Sequence, residues 1–325
     1  TTNFNTALAH LTNEPTITLS NTDLSAEGVG DDGIVDFNAL ADLDTIGGIT
    51  GTLSDDDGTY LLSTTGENVT AVVTSDDDDI TLAYGTVAAS DAVVTKLIAN
   101  AQLAGTTRFT GSLTSIDADQ AADIGNSSHI NDQDSNGSSN NISTMTLTTD
   151  VAISATVAAN LAGKGAATFS AGLTGTLSTY DTGSALTDAF STASTEHDQV
   201  AIAITDEGGL DGDDVASLNR IAAATDGDIT ATISAEKDDL NNLSGISNKD
   251  LTITVTNAIG ITALGTLQGT SSNDVQITGS ITDSLSALYD ADNAGAADNQ
   301  GLRAAALNTA IAADNDVIVI VDEDS

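Results

Sequence analysis

The sequence predicts a β-rich repeat protein: an elongated parallel β-solenoid with short helices or loops as crossovers. Three observations carry that expectation. Short alternating strands recur at 229–234 (ITATIS), 251–256 (LTITVT) and 275–282 (VQITGSIT), with starts 22 and 24 residues apart, a period typical of stacked repeats. Ala/Leu-rich amphipathic stretches lie between them. The 40% hydrophobic residues include only 3% aromatics and no Trp, so the core is built from Ala, Val, Ile and Leu, which suits thin coils. All 325 residues are read as one elongated solenoid, because stacked repeats form a single domain of almost any length.

Strands are expected in order at 16–20, 49–54, 69–74, 80–84, 108–114, 144–149, 173–178 and 200–205, then at the three repeats above, and finally at 317–321. Most alternate Val, Ile or Leu with Thr, Ser, Gly or Ala, the period of a strand with one face inward. Crossover stretches are expected at 36–46, 88–101, 213–224, 235–243 and 300–313. In 213–224 (DDVASLNRIAAA), Val215, Leu218, Ile221 and Ala222 fall at helical spacing behind acidic residues that suit a helix N-terminus. The segment 126–141 (NSSHINDQDSNGSSNN) breaks the rhythm and reads as a polar excursion loop. Shorter insertions are expected at 178–197 and 289–299.

Charge narrows the function classes. Acidic residues number 48 against seven basic ones, for a net charge of −41. Nucleic acid is excluded as a partner, since phosphate binding needs clustered Lys and Arg. No apolar run reaches the roughly 18 residues that span a bilayer, so membrane insertion is not expected. There is no Cys, which removes disulfides and thiolate chemistry. The sequence opens at Thr1 with neither a basic stretch nor an apolar one behind it, and this predicts a secreted product whose leader has been removed. Only seven of the acids are Glu, and an Asp excess points to turns and helix caps, where the short carboxylate reaches backbone N–H groups.

The segment ITDEGGLDGDDVASLNRIAAATDGDITATIS (204–234) resembles repeats of large extracellular proteins of bacteria, notably cyanobacteria and other marine bacteria. That resemblance implies a cell-surface, matrix, S-layer-like or adhesin role, often with calcium. The nonapeptide Gly-Asp repeat of calcium-binding β-rolls is absent.

Calcium is the expected cofactor. Asp132, Asp134 and Asn136, followed by Gly137, match the opening of an EF-hand-like loop, though position 12 is Ser143 rather than a bidentate carboxylate. The run containing Asp76, Asp77 and Asp78, and the pair Asp211 and Asp213, are further candidate metal ligands, since adjacent carboxylates repel unless a cation intervenes. Catalytic motifs fail on inspection. Gly28, Gly30 and Gly33 spell G-x-G-x-x-G, but Asp31 and Asp32 stand where a phosphate would approach. Ser234 and Lys237 form S-x-x-K without its companion motifs, and His10, His129 and His197 are scattered. No enzyme is expected.

Open ends of stacked strands need caps or become joints. The candidate joints are Thr16, Ile17, Thr18 and Leu19 near one end, and Val317, Ile318, Val319, Ile320 and Val321 near the other. The sequence therefore predicts an extracellular structural subunit joining copies of itself head to tail into a filament, sheath or surface lattice. The competing expectation is a calcium-stiffened adhesin whose 126–141 loop recognises a protein or a surface polysaccharide.

Overall fold

The computed structural model describes residues 16–23, 35, 48–56, 58–62, 79–101, 106–132, 141–143, 145–196, 199–246, 249–269, 275–288, 307, 309 and 317–322. They form an α/β fold: three separate sheets, each built of parallel strand pairs, with helices between strands. This corrects the β-solenoid expectation. Six helices among the described residues run eight residues or more, the longest being Asp91–Ala101, so the crossovers are genuine helical elements of the fold. The sheet, moreover, does not continue along the chain. The expected strand at 69–74 and the crossover at 36–46 lie outside the described residues, as does nearly all of 300–313.

The chain divides into two compact units, Thr1–Ala171 and Gly172–Ser325. In the first, β1 (Thr16–Asp23), β2 (Gly48–Asp55), β3 (Asp79–Ala88) and β4 (Thr106–Ile116) are neighbours in chain order. Strand β4 then forks. Its first half pairs with β6 (Asn141–Ser143), which pairs with β5 (Asn131–Asp132). Its second half pairs with β7 (Thr146–Thr149), which pairs with β8 (Ala166–Phe169). The fork arises because only residues 144 and 145 separate β6 from β7, too few to move to a new parallel position.

In the second unit, β9 (Leu173–Gly175), β10 (Ile202–Ile204), β11 (Ile229–Ala235), β12 (Asp250–Val255) and β13 (Gln276–Ile277) are again neighbours in chain order. Strands β14 (Ser280–Asp283) and β15 (Ile318–Val321) form a sheet of their own. Linker length sets the breaks. Residues 170–172 alone separate β8 from β9, and residues 278–279 alone separate β13 from β14, whereas a parallel crossover usually takes about a dozen residues and even that between β5 and β6 takes residues 133–140.

Local sequence explains the packing. Along β11, Ile229, Ala231, Ile233 and Ala235 are buried while Thr230, Thr232 and Ser234 are exposed. The helix Val215–Ala224 buries Val215, Leu218, Ile221 and Ala222, the face its spacing predicted. Five aromatics among the described residues, Tyr84, Phe109, Phe169, Tyr180 and Phe190, are buried. Tyr84 and Phe109 stack at 6.1 Å in the first unit, and Tyr180 meets Phe190 edge to face at 5.2 Å in the second. Burial raises the Tyr84 phenol well above its ordinary pKa, while its oxygen accepts from Asn100 Nδ2 at 3.3 Å. The segment 178–197, expected as an insertion, instead carries the helices Leu177–Tyr180 and Asp188–Glu196.

Candidate functional site

Two of the three sheets end in the strands that the sequence marks as joints. Among the described residues, strand β1 pairs only with β2, through Thr16↔Gly48, Ile17↔Ile49, Thr18↔Thr50 and Leu19↔Gly51. Thr18 is exposed, its hydroxyl 3.2 Å from that of Thr50, and Leu19 is half-buried. Among the described residues, strand β15 pairs only with β14, from Ser280↔Ile318 to Asp283↔Val321. Val317, just before it, is half-buried.

The composition of β15 accounts for its behaviour. Consecutive β-branched residues favour extended backbone, but without alternation neither face is marked for water. Ile318 is 59% exposed, Val319 39%, Ile320 46% and Val321 51%. These side chains leave the strand apolar on both faces and open along one edge. Such an edge presents unpaired backbone groups together with apolar surface, a template for pairing with another chain.

The candidate metal ligands behave differently. Asp76, Asp77, Asp78, Asp134 and Asn136 lie outside the described residues, and Asp132 is the last residue of β5. Asp211 and Asp213 are brought together, but as a cap: the Asp211 carboxylate accepts from Asp213 N–H at 2.9 Å, and Asp214 Oδ2 accepts from Asp211 N–H at 3.0 Å. These bonds close the turn that leads into the helix Val215–Ala224. Among the described residues, no group of three or more His, Asp or Glu side chains is placed to hold a metal ion. A shallow pocket beside Ile204, Asp206, Gly209, Leu210 and Thr232 has a volume of about 190 Å³, below the range usual for small-molecule sites.

Sequence reasoning missed a recurrent polar device. At Thr205-Asp206, Thr256-Asn257 and Thr282-Asp283, which follow apolar strand residues, the Thr N–H donates to Gly175 O, Ala235 O and Ile259 O respectively. The Asx side chain beside it then accepts from the N–H two residues further on: Leu177 at 2.5 Å, Lys237 at 2.8 Å and Ile261 at 3.0 Å. Each acceptor thus closes the start of a helix in the preceding βα unit. The recurring strings ITD, VTN and ITD were the available signal.

The described basic side chains are largely turned inward. Lys164 Nζ donates to Ser127 O at 2.7 Å, and Lys249 Nζ to Thr225 O at 3.0 Å and to Gly227 O. Arg220 bonds Asp181, whose side chain is fully buried, at 2.7 Å and Ser217 Oγ at 3.0 Å. Lys96 and Lys249 are each 5% exposed. Lys237, by contrast, stands 3.5 Å from the exposed Asp238. No helix among the described residues is long and apolar enough to cross a membrane. No protein-family model, curated protein or solved structure matches this chain.

Proposed function

We propose that this chain is an extracellular structural subunit whose copies join through open sheet edges into a fibre, sheath or surface lattice. The observation that carries the reading is β15, four consecutive apolar residues, each more than a third exposed, on a strand that the described residues pair along one side only. An edge of this kind left permanently in water is a liability that proteins usually blunt with charge, Pro or a covering element; as a joint it has a use. Strand β1, which the described residues also pair along one side only, supplies a second sheet edge. Contact between two different edges is heterologous, and repeated contacts that do not close produce a filament. The extracellular placement rests on the resemblance of 204–234 to surface-protein repeats.

Electron microscopy and light scattering at rising protein concentration test the reading. The wild-type chain is expected to form filaments or lattices. Ile320→Lys, which puts a charge on the exposed edge without touching a buried residue, is expected to abolish them while leaving circular dichroism unchanged. Wild-type protein that stays monomeric at high concentration under all solution conditions contradicts the proposal.

A further inference from the structure

We propose that joining of copies at β15 is gated by ionic strength, the chain remaining monomeric while its charge is unscreened and associating when salt shortens the reach of that charge. The inference rests on the self-assembly reading above and adds its regulation. Its basis is where the charges go. The net charge is −41, and the few cations do little to relieve it at the surface. Lys164 and Lys249 spend their ammonium groups on backbone carbonyls, Arg220 spends its guanidinium on buried Asp181, and Lys96 is buried. Two approaching copies therefore meet as acid against acid, with few exposed cations among the described residues to attract one another.

The joint itself is apolar, so its attraction is short-ranged and insensitive to salt. Repulsion between like-charged bodies reaches further and is set by the Debye length, about 30 Å at 0.01 M salt and about 3 Å at 1 M. At low salt repulsion precedes any edge contact; at high salt the copies touch before they repel. Strand β15 also runs directly into Asp322, which places part of this repulsion beside the joint. Screening of this kind needs no bound ion. Sodium and calcium at equal ionic strength act alike.

Sedimentation velocity reads the gate, over the range in which circular dichroism shows unchanged folding, in about 10 mM NaCl, about 1 M NaCl, and CaCl2 matched to the latter in ionic strength. The expected result is a single slow species in the first buffer and large assemblies in the other two. The protein concentration needed for association should fall by roughly tenfold or more between the extremes. The Ile320→Lys chain, although slightly less acidic, should stay monomeric in all three. Equal wild-type association at low and high salt overturns the gate and leaves the edge reading standing. Association with calcium alone overturns screening in favour of a bound divalent ion. Absence of association in every buffer, or association of Ile320→Lys to the wild-type extent, overturns both.

Discussion

Asp283 shows how one side chain can serve an element it does not belong to. The helix Ile261–Gln268 starts after Gly260, which has no side chain to cap it, and the Asp283 carboxylate fills that role from the end of β14. Asp283→Ala is expected to cost about 1 kcal/mol, the usual value of a lost N-cap acceptor, seen as a lower urea midpoint with an unchanged slope. Asp283→Asn should stay near wild type, because Asn257 performs the same task at Lys237 with an amide oxygen. An alanine variant with the wild-type midpoint contradicts this account of the Thr-Asx pairs. The Asp excess was legible in the sequence as a preference for turns and caps. Which N–H each acceptor reaches was not, because the partners lie 29, 20 and 22 residues away at Leu177, Lys237 and Ile261.

Strands were the more readable elements. The alternation in 229–234 and 251–256 corresponds to β11 and β12, which pair in parallel from Thr230↔Asp250 to Ala235↔Val255. Helices such as Ala155–Ala162 and Ile261–Gln268 were missed, since their Ala, Thr and Gly residues give weak periodicity and the buried face is chosen by the sheet beneath. Strand β4 adds a feature that no alternation pattern reports. Gly111 lies within it at φ +142°, and a Cβ there would stand 1.8 Å from Tyr84 O, beside the register shift between Ala83 and Thr86 on β3. Gly111→Ala is therefore expected to destabilise the fold by at least about 1 kcal/mol. Chemical denaturation with an unaltered midpoint would show that the close approach of β3 and β4 is not required.

At the scale of the whole chain, the period near 22–24 residues described neighbouring βα units without revealing where one sheet stops and the next begins. Those stops follow from linkers of two or three residues at 170–172 and 278–279, a constraint of connection length rather than of residue type. The positions of the expected metal ligands were still less legible, because Asp211 looks the same in sequence whether it binds an ion or caps a turn. Strand β15 was legible for the opposite reason: VIVIV next to acidic residues is recognisable without its surroundings. If copies join along its open edge, backbone N–H groups of β15 that face away from β14 gain partners on assembly. Hydrogen–deuterium exchange of the peptide covering Ile318–Val321, compared between monomer and assembled protein, tests this most directly. The account predicts exchange slowed by roughly tenfold or more in the assembled state, and exchange at that strand as fast in the assemblies as in the monomer would contradict it.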